Sequence, residues 1–293
     1  MLKRTFQHID GIGEKSEERL WAEGLTSWEE FLAAPRCAAL SQWQRDLTCA
    51  ELERSLYALE RRDAQYFAEK LPAALHWRLY PEFAQRIAYL DIETTGTVSG
   101  LSSITVIGLY DGKSPRVYVR GKNLSHFIAE SEGFTLLVTY NGKLFDLPFI
   151  RREMGLSLAH AHIDLRYPLA ALGYKGGLKK IERSLGLERE GPLALLDGWC
   201  AVLLWQYHEQ GEEGALETLL RYNLEDVIHL PMLLALVYNT RVRHLPFALP
   251  LIAPLCLPEI PFGYTEALIY RALAETGRGP WEQANPLIDR IMQ

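Results

Sequence analysis

Ile87-Ala88-Tyr89-Leu90-Asp91-Ile92-Glu93-Thr94-Thr95-Gly96 is the stretch on which the fold turns. Four apolar residues run into two carboxylates one position apart, and small turn-forming residues follow. Side chains alternate along an extended strand, so Asp91 and Glu93 project from the same face at the end of an apolar strand. Two carboxylates held side by side repel each other. Hard divalent cations such as Mg²⁺ or Mn²⁺ favour oxygen donors of this kind, and the small Thr94-Thr95-Gly96 turn leaves the pair accessible. Taken alone, an Asp-x-Glu pair is a common chance occurrence, and a solvated strand end is the reading it favours.

Working outward, the same texture continues. Apolar runs bounded by Gly, Pro, Ser and Asp occur at 86–93, 102–110, 115–121 and 135–142, with a fifth short strand at His162–Leu165. The first three are joined by short polar turns such as Asp111-Gly112-Lys113-Ser114, which predicts an antiparallel meander, and the fourth follows a stretch long enough for a crossover helix. Helical spacing then dominates near 144–154, 177–185, 198–207 and 215–230. The expected fold is α/β: a mixed five-stranded sheet flanked by helices over residues 84–240. Residues 1–83 read as a small helical region, with Thr26 and Glu29 spaced as a capping box. Residues 241–293 read as a proline-rich, irregular and partly helical extension over the core, with a last helix at 265–276.

Composition narrows the class. Of 293 residues, 48% are apolar and 23% charged, which supports one sizeable domain with a smaller companion and excludes wholesale disorder. No apolar run approaches the roughly 18 residues of a membrane span, and the first residues lack a secretory signal, so the expected location is the cytoplasm. Cys37, Cys49, Cys200 and Cys256 form no CxxC pair, which points to free thiols. The net charge is −6, yet residues 140–190 hold nine basic against six acidic side chains. A polynucleotide would be gripped there, because phosphate affinity comes from Lys and Arg; a merely solvated charged face is the alternative.

Two more carboxylates stand in apolar company. Asp146 lies within Leu144-Phe145-Asp146-Leu147-Pro148-Phe149, where an unpaired charge is costly unless it meets a cation or caps a helix, and Pro148 suits a first helical turn. Tyr222 and Asp226 are four residues apart on a helix and share a face with Leu219 and Leu230. A buried pairing with Lys or Arg is the structural alternative for Asp226.

Together these three elements resemble the motifs of the DEDD superfamily of 3′→5′ exonucleases. Asp91-Ile-Glu93-Thr-Thr-Gly looks like the first motif, Asn141 through Asp146 the second, and Tyr222-x-x-x-Asp226 the third. Position 221 is Arg and position 222 Tyr, as in the tyrosine subtype. Gly176-Gly-Leu-Lys-Lys-Ile-Glu-Arg-Ser-Leu-Gly186 strengthens a likeness to YprB-type ribonuclease-H-like exonucleases, and Asn-x-x-x-Phe-Asp is similar to the proofreading domain of family B polymerases. The resemblance covers roughly residues 85–235. It implies a ribonuclease-H-like fold and two-metal-ion hydrolysis of terminal phosphodiesters with Mg²⁺ or Mn²⁺. On that reading Asp91 bridges both ions, Glu93 and Asp226 complete the water site, Asp146 supports the second ion, and Tyr222 orients the water. Asn141, Thr94, Thr95, Lys143, Lys175 and Lys179 are candidates for substrate contact, with a plain solvated lysine as the alternative for each lysine. The implied partner is a single-stranded nucleic-acid 3′ end, DNA or RNA.

His160, His162 and Asp164 lie along a short strand and read as structural. Ile9-Asp10-Gly11-Ile12-Gly13 followed by Leu20 resembles a helix-hairpin-helix, but Glu14, Glu17 and Glu18 put negative charge where a phosphate would come, so a packing module is the competing reading. Two other functions compete with an exonuclease: a catalytically silent nucleic-acid or protein-binding platform on the same fold, and a structure-directed endonuclease. A lysine or arginine that neutralises the carboxylates and blocks metal access would count against catalysis.

Overall fold

The structure, a computed structural model, describes residues 1–98, 100–156, 160–187, 189–253 and 255–277. Its centre is a five-stranded sheet in the order β3-β2-β1-β4-β5, built from β1 (Ile87–Thr94), β2 (Ile104–Tyr110), β3 (Pro115–Val119), β4 (Leu136–Thr139) and β5 (Ala161–Asp164). The β1–β2–β3 meander is antiparallel, whereas β4 and β5 run parallel to β1. The β2–β3 turn closes because the Asp111 carboxylate accepts the N–H groups of Lys113 and Ser114 at 2.9 and 3.0 Å. The helix His126–Ser131 makes the crossover to β4. This is the mixed α/β sheet that the apolar runs predict.

The two faces of β1 enter different apolar clusters, as a period of two requires. Ala88, Leu90 and Ile92 pack with Phe127, Phe149 and Ile150. Ile87 and Tyr89 join a cluster that runs on through Val138, Ile163, Val227 and Val237 into the N-terminal helices. Burying each such side chain contributes about 1.5–3 kcal/mol. The N-terminal region is tied to this core by the Trp77 and Tyr238 rings, 5.8 Å apart, and by a 2.7 Å hydrogen bond from the His76 ring to the His162 carbonyl.

Local differences from the predicted elements have local causes. The second N-terminal helix is capped by Ser27, not Thr26: Ser27 accepts the Glu30 N–H, and Glu30 reaches back to the Thr26 N–H. The helix predicted to end at Leu230 ends at Ile228, and a new one, Leu230–Arg243, begins with Pro231 in its first turn, where a missing N–H does no harm. Beyond it the chain runs without regular structure among the described residues until the helix Glu266–Glu275, which packs on the helix Gly198–Glu209 through Leu268, Ile269 and Ala272. The final part of the expected C-terminal extension, 278–293, lies outside the described residues. Among the described residues no helix is long and apolar enough to cross a membrane.

Candidate active site

Because β1, β4 and β5 are parallel, their C-terminal ends open on one edge of the sheet, the edge where open α/β sheets bind ligands. Asp91 and Glu93 lie in the last half of β1 and face the helix Ala215–Ile228. That helix comes unusually close because the β2 residue opposite Asp91 is Gly108; a Cβ there would sit 2.1 Å from Asn223 Oδ1. The close approach lets Asn223 Nδ2 donate to Asp91 Oδ2 at 3.0 Å. Asp226, one turn further along the same face, then meets the strand carboxylates. One oxygen each from Asp91, Glu93 and Asp226 lies within 4.8 Å of the others.

Asp146 stands outside that group of three. It opens the helix Asp146–Met154 as its first residue instead of capping it, and its Oδ1 accepts the Ile92 N–H, between the two strand carboxylates, at 3.1 Å. Its charge still reaches the cluster. Burial, then the carboxylates of Asp226, Asp146 and Glu93, pushes Asp91 well above the usual carboxylate range. Burial and Asp226 do the same to Glu93, against the pull of Lys179. Asp146 is raised to about 7 by burial, although hydrogen bonds from backbone N–H groups oppose the shift. Such shifts mean that the charged forms lack enough positive charge nearby.

Two cations are present nonetheless. Arg189 Nη2 ion-pairs with Asp226 Oδ1, while its Nε and Nη2 hold Glu182 Oε2 at 2.9 and 2.5 Å; Glu182 Oε1 in turn meets the His229 ring at 2.9 Å. Burial alone would depress Arg189, but Asp226 and Glu182 more than reverse that. The buried Arg189 Nη1 has no partner among the described residues. Lys179 Nζ donates to the Tyr222 hydroxyl at 2.7 Å and to the Leu196 carbonyl, and burial lowers its pKa to about 8. Burial and the neighbouring Asp226 and Glu93 raise the Tyr222 phenol. Among the described residues Asp91 and Glu93 have no cation of their own, so an all-oxygen donor set with excess negative charge faces a site that a hard divalent ion fits.

The remaining candidates separate. Thr94 Oγ1 donates to the Gly96 carbonyl at 2.6 Å and Thr95 Oγ1 accepts the Ser103 N–H at 3.0 Å, so both close the turn after β1. Lys179, expected as a phosphate contact or a solvated lysine, is largely withdrawn from solvent and donates to the Tyr222 hydroxyl. Lys143 is exposed, its Nζ 5.8 Å from the centre of the Tyr167 ring, while Asn141 and Lys175 line a cavity at the ends of β4 and β5. Asp164 is structural: it accepts backbone N–H groups of Asn141, Lys143 and Arg166. His162 bonds the Thr139 hydroxyl and His160 the Ser131 carbonyl, so neither joins a metal cluster. Glu17, one of the three acids that put negative charge where a phosphate would come, is buried and paired with Arg78. Asn223, Gly108, Glu182 and the role of Arg189 escape motif reading; a glycine inside an apolar strand is the one local signal among them.

A family model described as RNase_H superfamily matches residues 88–238, just over half of the chain. Among curated proteins none matches the sequence. Of the solved structures, the family B DNA polymerase from the hyperthermophilic archaeon Pyrobaculum calidifontis is similar over 53% of this chain and 26% of its own, with 17% identity and a TM-score of 0.40. The chain thus spans about a quarter of that polymerase's length. A nuclease solved in its apo form is similar over 67% of this chain and 76% of its own, with 15% identity and a TM-score of 0.33. The family match runs from Ala88 in β1 to Tyr238 in the helix after Asp226 and encloses every carboxylate of the cluster: this chain belongs to the ribonuclease H superfamily of nucleases.

Proposed function

We propose that the chain is a divalent-metal-dependent 3′→5′ exonuclease of the tyrosine subtype, acting on single-stranded ends. The observation that carries this reading is the convergence of Asp91, Glu93 and Asp226 within 4.8 Å. The upward shifts of Asp91 and Glu93 add that their charge calls for a cation. Asp91, Glu93 and Asp226 would hold the metal, with Asp146 completing the shell. Bound Mg²⁺ or Mn²⁺ would lower the pKa of a water and stabilise the leaving 3′ oxygen.

The chain's own groups supply the placement. Asn223 fixes Asp91 from the side, and the Ile92 N–H fixes Asp146. The Tyr222 oxygen accepts from Lys179, which leaves the phenolic hydrogen free to be donated to a water or a phosphate oxygen. Lys179, whose charge already pulls on Glu93, would add positive charge at the rim of the cluster, where a phosphate bound there would gather negative charge.

The Arg189–Asp226 contact favours a second reading, a silent binding platform, because it neutralises one ligand. It covers Oδ1 of Asp226 only and leaves Asp91 and Glu93 without an ion pair among the described residues and with raised pKa values, so the catalytic reading is preferred. The deciding assay offers purified protein with Mn²⁺ 5′-labelled single-stranded DNA, duplex DNA, RNA and circular single strands. Stepwise shortening of free-ended single strands is expected, with a loss of about 10³-fold or more in Asp91→Asn and Asp226→Asn. Activity that survives both substitutions removes the catalytic assignment, and cleavage of circles replaces it with an endonuclease.

A further inference from the structure

Besides the carboxylate cluster, this edge of the sheet carries a cavity. Where β4 and β5 end, a cavity of about 690 Å³ opens between Tyr140, Asn141, Arg166, Tyr174, Lys175 and Gly176. We propose that it is a nucleotide subsite. It takes one unpaired nucleotide of the strand whose end enters the cluster, with the phosphate on Arg166 and Lys175 and the base against Tyr174. The inference rests on the nuclease reading for its substrate, but it concerns binding alone.

The lining carries two cations and no carboxylate, in a protein whose net charge is −6. Arg166 and Lys175 are exposed and make no ion pair among the described residues; the Arg166 guanidinium donates to Asn141 Oδ1, at 2.5 Å. A volume of this size lies within the roughly 300–1,000 Å³ of small-ligand sites. Guanidinium and ammonium groups are phosphate donors, and a tyrosine ring is a sequence-tolerant platform for a base.

The walls are also held in place before any ligand arrives. Asp164, buried at the end of β5, accepts the N–H of Asn141 at 2.7 Å, of Lys143 at 3.1 Å and of Arg166 at 3.0 Å, so one carboxylate ties the loop after β4 to the start of the helix that opens at Arg166. Asn141 is held at a φ of +67°, a conformation that costs a non-glycine residue energy and that the Asp164 and Arg166 contacts sustain. On the far wall the Tyr140 hydroxyl donates to the Gly176 carbonyl. That wall leads through Gly177 and Leu178 into Lys179, which touches Tyr222. From the other side, Asn141 leads within five residues to Asp146. Each wall therefore continues within a few residues of chain into a group of the site, Asp146 on one side and Lys179 with Tyr222 on the other.

The test reads binding in EDTA, where metal-dependent cleavage is silent, by fluorescence anisotropy. The probes are a labelled single-stranded oligothymidylate, an oligouridylate of the same length and a blunt duplex. Arg166→Ala combined with Lys175→Ala is expected to weaken single-strand binding at least tenfold and to reduce the slope of log affinity against log salt by about 0.7 for each phosphate left unneutralised. Tyr174→Leu is expected to weaken it about tenfold, with Tyr174→Phe restoring it, because stacking needs the ring and not the hydroxyl. The two single-strand probes show whether deoxyribose or ribose is preferred. Wild-type affinity and salt slope in the folded double variant, or duplex binding as tight as single-strand binding, overturn the subsite. Loss of binding in these variants together with no Mn²⁺-dependent cleavage by the wild type keeps the subsite and removes the nuclease reading.

Discussion

Among the described residues two buried arginines meet carboxylates, one among the N-terminal helices and one behind the cluster, and they end in opposite electrostatic states. Arg78 grips both oxygens of Glu17 at 2.9–3.0 Å, and Glu17 also accepts from the Thr5 hydroxyl, the Phe6 N–H and the Gln7 amide. One charge meets one charge and the acceptors are filled. Although burial alone would raise Glu17, Arg78 brings its pKa below the ordinary value. Arg189 is shared between Glu182 and Asp226, and the second cation, Lys179, acts on the cluster through Glu93 and Asp226. The first centre is a closed staple, and the second is a site left short of positive charge. The helix-hairpin-helix-like segment therefore has its most awkward acid spent on internal packing, while the sheet edge keeps its acids for something from outside.

Breaking the staple gives the largest effect. Arg78→Met strands Glu17 in an apolar setting, and such losses cost about 3–5 kcal/mol. Denaturant melts are expected to show that drop, with much of it recovered when Glu17→Met is added. A double variant no better than the single one would mean that Glu17 is held by Thr5, Phe6 and Gln7 without need of the arginine. At the open site the matching change goes the other way. Arg189→Met removes a competitor for Asp226, so calorimetric titration with Mn²⁺ is expected to show binding about tenfold tighter, about 1.4 kcal/mol, even as the metal-free protein loses stability. Weaker Mn²⁺ binding would instead make Arg189 the group that positions Asp226 for the ion.

That contrast also marks where sequence reading succeeds. Alternation along 87–93, the turn at 111–114 and the crossover before β4 are local patterns, and they specify the mixed sheet and the side on which Asp91 and Glu93 emerge. The Tyr222–Asp226 spacing is local too. What stays hidden depends on contacts across the chain. Asn223 reaches Asp91 over 132 positions, and only because Gly108 lets the helix close on β2. Arg189 reaches Asp226 over 37 positions from outside any helix or strand, where no periodicity marks it. The partner of Glu17, Arg78, lies 61 positions away, so no local pattern marks that acid as paired.

The smallest effect is a pH dependence that the staple cannot give. Asp146 is raised from 3.8 to about 7, so between those values the folded chain holds a proton that the unfolded chain has released. A raised carboxylate contributes its stability at low pH and loses it as pH rises through the folded-state value; Asp91 and Glu93 shift in the same sense. Glu17, lowered, acts in the opposite direction and only in the acid range. His8, His76, His160 and His162 are also lowered, so their contributions grow with pH up to about 6.5 and oppose the trend there. Comparing wild type with Asp146→Asn in EDTA cancels these shared contributions. The two melting temperatures are expected to lie close together below about pH 4 and to separate progressively, reaching a gap of a few degrees by about pH 8, with the variant higher. Mn²⁺ is expected to close the gap by stabilising the ionised cluster of the wild type. Parallel curves across the whole range would show that Asp146 is already compensated in the folded chain, and that the sheet edge is as closed as the Arg78 staple.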